Sequence, residues 1–220
     1  MISKIATTTA LRAGARTFTT RATSGARTPS RFPLAFGAAA AVGAASLYML
    51  PSVQLEGTPT MAGELSTTSE RSFIMIKPDG VSRQLVGKII DRFESRGYKL
   101  VAIKSVVPSA DLTRQHYADL ANKPFFGELL KYLTCGTPVI AMVWEGKDVI
   151  RQGRNMVGAT NPAAALPGTI RGDYAVTIGR NMIHASDSFE SATKEIGLWF
   201  NKQELAQYMS SGWAMTMEDN

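Results

Sequence analysis

Residues 72–80 read SFIMIKPDG, a short apolar run followed at once by turn-forming residues. The run 72–76 is too short for a helix and predicts a buried β-strand. Pro78, Asp79 and Gly80 favour a turn, because proline fixes one backbone angle and glycine adopts conformations that other residues avoid. The stretch therefore predicts a strand that ends at Lys77, beside a turn.

The rest of the chain alternates between helical and strand patterns. Apolar residues at helical spacing predict a helix from Leu85 to Phe93, which Gly97 closes. Apolar, β-branched runs predict further strands, and amphipathic stretches predict further helices. In chain order these are a strand at 98–107, helices at 111–120 and 125–133, a strand at 138–144, a helix at 148–158, a strand at 175–178 and a helix at 187–200.

Helix caps and one long connection complete this order. Asp111 is a predicted N-cap, and Asp187 with Glu190 three residues later is typical of a capping box. Residues 159–173 are rich in glycine and proline and lack periodicity, and connections of this length are often functional. The order of elements predicts an α+β fold in which one four-stranded sheet is covered by helices.

Charge is unevenly distributed along the 220 residues. Six of the 24 basic residues and none of the 18 acidic residues precede Glu56, so the net charge of +6 belongs to the N-terminal segment. The charge-balanced remainder argues against a general nucleic-acid-binding surface, and we expect no specific nucleic-acid partner. The single cysteine, Cys135, excludes an internal disulfide and is expected to be a buried thiol. One cysteine and two histidines, His116 and His184, also exclude a structural Cys/His zinc site.

The N-terminal segment has the composition of a targeting sequence. Residues 1–31 are rich in Arg, Ser, Thr and Ala and lack acidic residues, as in a mitochondrial transit peptide. Residues 32–55 carry no charge, and their centre at 34–50 reads LAFGAAAAVGAASLYML. As a helix this centre would be ~25 Å long, close to the thickness of a bilayer core.

Three interpretations fit residues 32–55: a sorting signal that stops in the inner mitochondrial membrane, a retained membrane anchor, or an uncharged linker or plastid signal of the thylakoid type. The first two place the following domain in the intermembrane space. The third leaves open a plastid or thylakoid-lumen location. Residues 56–69 are polar and predict a linker, so that the folded domain is expected at 70–220.

Basic and hydroxyl residues that suit phosphate chemistry lie near the ends of the predicted elements. Residues 80–88 read GVSRQLVGK, but the glycine spacing does not match a Walker-type phosphate loop, which is therefore rejected. His184 is expected after a strand and before a helix N-terminus, where anions are favoured. A neutral imidazole there would be a nucleophile for phosphate, and nearby cations would neutralise a transferring phosphoryl group. The other candidates are Lys77, Arg154, Thr160, Arg171 and Asn181.

Residues 181–187 read NMIHASD and resemble the signature of nucleoside diphosphate kinases, Asn-x-x-His-Gly-Ser-Asp. Further segments that resemble the family occur in the same order as in its members, and together they extend through almost all of residues 70–220. They are FIMIKPDGV at 73–81, KPFF at 123–126, AMVWEG at 141–146, ATNP at 159–162 and PGTIRGD at 167–173.

This resemblance implies a ferredoxin-like sandwich with a four-stranded antiparallel sheet. It also implies a ping-pong kinase that moves the γ-phosphoryl group of a nucleoside triphosphate, mainly ATP, to nucleoside diphosphates through a phosphohistidine. By the motif match the nucleophile is His184. The other implied catalytic residues are Lys77, Tyr117, Glu195, which would bond the second ring nitrogen, and Ser186 beside it.

The resemblance further implies how the nucleotide is held. Phe125 would stack on the base with Ile178 opposite, and stacking tolerates every base because each has a π-face. The remaining implied contacts, to the phosphates and the ribose, are Lys77, Arg154, Thr160, Arg171 and Asn181. Mg²⁺ would arrive on the nucleotide, with no metal site on the protein. Family members are usually hexamers, and residues 159–173 would be an assembly element.

Two departures from the family pattern and two rival functions remain. Ala185 replaces the family glycine, which would cost ~1 kcal/mol if the position required a positive φ. Residues 135–138 read CGTP, one residue longer than the family's usual turn. The rivals are a membrane-tethered scaffold with little turnover, suggested by residues 34–50, and a nucleic-acid-binding regulator, which the charge balance argues against.

Overall fold

The computed structural model describes residues 60–209 and 212–217. In these two ranges the strands are β1 (Arg71–Ile76), β2 (Lys99–Val106), β3 (Val139–Glu145) and β4 (Ile183–Ala185). The α-helices are α1 (Pro78–Ser82), α2 (Val86–Ser95), α3 (Ala110–His116), α4 (Phe126–Leu133), α5 (Val149–Val157), α6 (Ile170–Tyr174), α7 (Phe189–Trp199) and α8 (Trp213–Met217).

The four strands form one antiparallel sheet in the order β2-β3-β1-β4. β1 is central and pairs with β3 on one side and β4 on the other, so that Met75 lies opposite both Ala141 and His184. Since most neighbours in the sheet are not joined directly in the chain, helical connections cross between them. This is the α+β, ferredoxin-like arrangement predicted from the sequence.

Side chains of β1 alternate between the two faces of the sheet, as the period of two in a strand requires. Phe73 and Met75 pack in one apolar cluster with residues of α7. Ile74 and Ile76 pack in a second cluster with residues of α2 and α5. Helices therefore cover both faces, and burial of each such side chain contributes about 1.5–3 kcal/mol.

The fourth strand predicted at 175–178 is wrong, because β4 is Ile183–Ala185. Val176 is 85% exposed and Ile178 is 62% exposed. Neither side chain belongs to the core, as a buried strand would require. His184 consequently lies on a strand, where the sequence placed it after one.

Two helices begin at a serine one or two residues from the predicted acidic cap. Ser109 replaces Asp111 as the N-cap of α3, and Ser188 replaces Asp187 as the N-cap of α7. Each serine hydroxyl accepts the backbone N–H three residues later at 3.1 Å. The hydroxyl satisfies an N–H that has no partner inside the helix, which is the role predicted for the carboxylates.

Short helices occupy segments predicted as turn and loop. α1 replaces the turn after Lys77, and α6 lies in the long connection at 159–173. The helix predicted at 111–120 ends at His116 and continues as a 3₁₀ turn, Ala118–Leu120. The other predicted strands and helices are confirmed to within two residues at each end.

Two single-residue expectations have clear outcomes. Cys135 is exposed, so its prediction as a buried thiol is wrong; it lies in the connection between α4 and β3, outside both core clusters. Ala185 is buried in β4 and is extended, so alanine there causes no backbone strain. The non-glycine residues with positive φ in the described ranges are Ser66, Gln84, Asp148 and Met182.

The last residues before β1 pack on the fold. Ala62 is fully buried, and Glu70 is 2% exposed. The Glu70 carboxylate accepts the backbone N–H of Ile150 at 3.0 Å and so caps α5. The segments predicted at 1–31 and 32–55 lie outside the described residues. Among the helices that the structure describes, none combines the length and the apolar character needed to span a bilayer.

Candidate active site

One cavity of about 910 Å³ lies beside Lys77, where β1 ends. This volume is in the range of small-molecule sites. Ten of the eleven side chains singled out in the sequence line it, although they come from segments far apart in the chain. They are Lys77, Tyr117, Phe125, Arg154, Thr160, Arg171, Ile178, Asn181, His184 and Glu195.

Ser186, the eleventh residue, lies behind the cavity wall and orients Glu195. Its buried hydroxyl donates to Oε2 of Glu195 at 2.6 Å and accepts the backbone N–H of Phe73 at 3.2 Å. The other carboxylate oxygen, Oε1, lies 2.9 Å from Nε2 of His184. Since a carboxylate accepts, Nε2 carries the imidazole proton and Nδ1 keeps a free lone pair.

The His184 imidazole is uncharged at neutral pH. Burial lowers its pKa to about 3, since the charged form loses its hydration. The positive charges of Lys77, Arg154 and Arg171 act in the same direction. The side chain is 19% exposed. The structure thus holds a neutral, partly accessible imidazole, the form required of a nucleophile.

Lys77 is linked to the segment before β4. Its Nζ donates to Oδ1 of Asn181 at 2.7 Å, and Nδ2 of Asn181 donates to the Thr160 carbonyl at 3.0 Å. Burial, reinforced by the charge of Arg171, lowers the pKa of Lys77 to about 8, whereas the charge of Asp79 raises it. Lys77 is therefore mainly cationic at pH 7, close to losing its proton.

A pH dependence follows from this pKa. Protonated Lys77 attracts phosphate and neutral Lys77 does not. The kcat/KM of the phosphoryl transfer expected from the family resemblance should therefore fall above pH about 8, by about tenfold per pH unit. Asp79→Asn removes a charge that raises the pKa and should move the fall to lower pH. Initial rates between pH 6 and 10 check this. A flat profile up to pH 10, or a shift to higher pH in Asp79→Asn, would contradict it.

Arg171 is 4% exposed and is fixed by three backbone carbonyls. Its guanidinium donates to Asn181 at 3.2 Å, to Gly158 at 2.9 Å and to Ile183 at 2.6 Å. Two Nη hydrogens remain for a ligand, because a guanidinium has five donors. Arg154, on α5, donates to the Ala185 carbonyl at 3.2 Å. Two guanidinium groups thus lie beside His184 in fixed positions.

Tyr117 and Phe125 supply two further kinds of contact. The Tyr117 hydroxyl is buried and has no hydrogen-bond partner among the residues that the structure describes. Burial raises the pKa of this phenol, so it stays protonated and able to donate. Phe125 is 52% exposed although it is a large apolar residue at the start of α4. Phe125 and Ile178 both line the cavity and offer apolar surface to a ligand.

Sequence reasoning missed several residues of the cavity. His116 lines it and is buried against His184, with ring centroids 4.6 Å apart. The only signal in the sequence was that His116 is the one other histidine and precedes Tyr117. Tyr132 also lines the cavity; its hydroxyl bonds Asp79, and its ring lies 4.1 Å from the Arg180 guanidinium.

The protein groups do not suit a magnesium ion of their own. Among the residues that the structure describes, the metal-type cluster consists of His116, His184 and Glu195. Mg²⁺ prefers six oxygen ligands in octahedral geometry, which two imidazoles and one carboxylate do not supply. The cations beside His184 suit phosphate oxygens instead.

Comparisons with known proteins show to which family the chain belongs. The family model "Nucleoside diphosphate kinase" matches residues 70–205. The chain is 58% identical over 153 residues to a nucleoside diphosphate kinase of Emericella nidulans, covering 69% of this chain and 99% of that protein. It is 59% identical over 141 residues to the human nucleoside diphosphate kinase A, covering 64% and 92% of the two chains.

Solved structures show the same likeness. A nucleoside diphosphate kinase of Halobacterium salinarum in complex with CDP superposes with a TM-score of 0.66 at 44% identity, covering 68% of this chain and 99% of that one. A family protein from Babesia bovis gives 0.65 at 45% identity, covering 67% and 99%. A match over most of the chain, with the cavity and its histidine in place, shows that the protein belongs to the nucleoside diphosphate kinase family.

Proposed function

We propose that this phosphotransferase moves the γ-phosphoryl group of a nucleoside triphosphate, mainly ATP, to nucleoside diphosphates through a phosphohistidine at His184. The observation that carries the proposal is the orientation of the His184 ring. Glu195 engages Nε2 at 2.9 Å, and three cationic side chains lower the pKa of the same imidazole. That arrangement leaves Nδ1 as the nucleophile in a cavity suited to phosphates.

The transfer consists of two successive displacements at the γ-phosphorus. Nδ1 of His184 attacks the γ-phosphorus; the P–N bond forms as the bond to the β–γ bridging oxygen breaks, and the electron pair leaves on the diphosphate. The imidazole proton stays on Nε2 and is shared with Glu195, which stabilises the positive charge of the ring. A terminal oxygen of the second diphosphate then attacks the phosphorus. The new P–O bond forms as the P–N bond breaks, and the electron pair returns to Nδ1, which regenerates neutral His184.

The cationic groups and Tyr117 would act on the transferring group. Lys77, Arg154 and Arg171 offset its negative charge, and the free Tyr117 hydroxyl donates to one of its oxygens. These donors are fixed before substrate binds, as the carbonyl contacts of Arg171 illustrate. Pre-set donors stabilise the transition state without reorganising.

An exchange experiment tests the ping-pong route. With no second nucleotide present, labelled ADP should become labelled ATP when unlabelled ATP and Mg²⁺ are supplied, because the first half-reaction is reversible. Direct transfer in a ternary complex would also exchange the label, because ADP is itself an acceptor, so initial rates at several fixed concentrations of ATP and GDP are needed as well. Their double-reciprocal lines should be parallel for the covalent route and should intersect for a ternary complex. Full activity without ADP–ATP exchange would overturn the covalent route.

Phe125 is proposed to stack on the base, and its replacement gives a graded test. Phe125→Ala should raise KM for all nucleotides by about 5–150-fold, the effect of losing about 1–3 kcal/mol of stacking. ATP, GTP and CTP should be affected alike, because stacking reads no hydrogen-bonding edge. Phe125→Tyr, which keeps the ring, is the matched control. A loss confined to one base would contradict stacking as the main contact.

Magnesium is proposed to enter as part of the substrate, where it would offset the charge of the phosphates. The chain would hold it only through the nucleotide, consistent with the cations and the lack of an oxygen cage among the described residues. The similar Halobacterium salinarum kinase was solved in complex with CDP, which supports nucleotide binding by this chain. Equilibrium dialysis should detect Mg²⁺ retained with ATP but none without nucleotide.

Assembly into a homohexamer is proposed from family membership. Exposed apolar side chains support it: Ile103 on the edge strand β2 is 47% exposed, and Leu166 in the 159–173 connection is 73% exposed. Assembly would remove both from water. Sedimentation equilibrium should give six times the chain mass; a monomer at micromolar concentration would contradict the proposal.

Residues 1–55 are proposed to direct the chain to mitochondria, with residues 34–50 associating the domain with the inner membrane and the domain facing the intermembrane space. The charge pattern of the sequence supports this. A C-terminally tagged chain should become protease-sensitive once the outer membrane is ruptured. Protection until the inner membrane is lysed would place it in the matrix, and tag signal in plastids would favour the thylakoid alternative.

A further inference from the structure

His116 packs directly against the proposed nucleophile. It ends α3 and is 6% exposed. Its ring centroid lies 4.6 Å from that of His184, with the two planes at 74°. One ring nitrogen of each histidine and a carboxylate oxygen of Glu195 all lie within 4.8 Å of one another. The site therefore contains a second imidazole that the transfer mechanism does not use.

Trp199 fixes the protonation form of His116. The indole N–H of Trp199 donates to Nδ1 of His116 at 3.1 Å. An indole nitrogen only donates, so Nδ1 must accept and the proton must reside on Nε2. Burial lowers the pKa of His116 to about 3; protonation of His184 would lower it too, as do the charges of Lys77 and Lys194, whereas Glu195 acts in the opposite direction. His116 is thus a neutral Nε2–H imidazole at pH 7.

The Nε2 atom of His116 is buried and has no hydrogen-bond partner among the residues that the structure describes. A buried donor without a partner destabilises a fold, and such groups in native proteins often have a functional reason. A phenyl ring would fill a similar space without a polar atom. The imidazole is therefore better explained by what it does for its neighbours than by packing.

A metal site is the alternative use of these three groups, since two histidines and one glutamate form a known zinc ligand set. Nδ1 of His116 is occupied by Trp199, so a metal would need the lone pair of Nε2. The proton would then move to Nδ1 and face the Trp199 N–H, placing two donors against each other. The Trp199 contact therefore opposes metal binding.

We propose that His116, held by Trp199, is a positioning residue with two effects. It fixes the ring of His184, and because it stays neutral it places no positive charge of its own beside Glu195. The proposal rests on the proposed role of His184. Ring contact limits rotation of His184, so Nε2 stays on Glu195 and Nδ1 stays toward the cavity. A protonated His116 would draw Glu195 toward itself and weaken the hydrogen bond that sets the His184 tautomer.

The test uses the full-length chain labelled with ¹⁵N-histidine, which contains only two imidazoles to assign. In the native chain, ¹⁵N–¹H correlation spectra should show His116 as the neutral Nε2–H tautomer from pH 8 down to 5. In Trp199→Phe, which removes only the indole N–H donor and some ring area, His116 should titrate at higher pH. The kcat of the Trp199→Phe variant should fall about tenfold at pH 6, and its KM should change much less.

Two further variants separate positioning from general damage. Trp144→Phe is the matched control, since Trp144 is fully buried but its indole N–H has no partner in the described structure. It should keep the native pH profile. His116→Asn can still accept from Trp199 but offers no ring to His184, and its kcat should fall about tenfold at every pH.

Each outcome decides the proposal. A native spectrum with the His116 proton on Nδ1, or with both nitrogens protonated at pH 7, would overturn it even if no variant folds. Native kinetics in His116→Asn, or a native pH profile in Trp199→Phe with a titrating His116, would overturn it too. If His184 is not the phosphorylated residue, mass spectrometry of the native chain after mixing with ATP will find no phosphate on it. The NMR spectra report the tautomer of His116 whatever that result, so failure of the proposed function and failure of this proposal are distinguishable.

Discussion

His184→Ala is expected to lose phosphoryl transfer by a factor on the order of 10⁴ or more, because no other group in the cavity replaces an imidazole nucleophile. His116, the other histidine, has Nδ1 occupied by Trp199 and its proton on Nε2, so it offers no free lone pair. The ADP–ATP exchange described above should vanish together with net transfer.

Nucleotide binding provides the control for this variant. Phe125, Arg154 and Arg171 remain in place in His184→Ala, so the dissociation constant for ADP should stay close to that of the native chain. Fluorescent-nucleotide titration measures it. Transfer at the native rate in a variant that binds ADP normally would remove His184 from the mechanism.

Glu195→Ala is expected to lower kcat by about 10²–10³-fold, since it removes the acceptor that keeps the imidazole proton on Nε2. Without it the proton can reside on Nδ1 and block the attacking lone pair. Glu195→Gln keeps a side-chain oxygen able to accept from Nε2 but loses the negative charge, and it should lose less activity than Glu195→Ala. Single-turnover phosphorylation by ATP separates this effect from nucleotide binding.

The comparison of the two Glu195 variants distinguishes orientation from charge. If the negative charge matters most, Gln and Ala should be equally impaired. If orientation matters most, Gln should be much the better of the two. Native activity in Glu195→Ala would show that the 2.9 Å contact has no role in transfer.

The sequence predicted the sheet well except at its fourth strand, and the reason is physical. Residues 175–178 read AVTI and are mostly apolar, but Val176 and Ile178 are exposed, so this apolar character does not serve the core. Ile178 instead lines the cavity. β4 is only three residues long and has the polar His184 at its centre, so it is too short for a periodic pattern.

The site residues, and the bond of Glu195 to His184, were expected from ordered motif matches, whereas the spacing of residues in the sequence fixes none of the distances. The contact of Glu195 with His184 requires α7 to pack beside β4, and spacing in sequence does not fix that approach. The three carbonyl contacts of Arg171 likewise depend on tertiary structure. His116 was missed for the same reason, since its contact with His184 joins the end of α3 to an edge strand 68 residues later in the chain.

The most direct test of the account is mass spectrometry of the full-length chain after brief mixing with γ-labelled ATP and Mg²⁺. The account predicts one labelled phosphate on His184, stable in base and labile in acid, which disappears when GDP is added and reappears as GTP. A folded, nucleotide-binding chain that carries no phosphate on His184, or carries one that GDP does not remove, would contradict it.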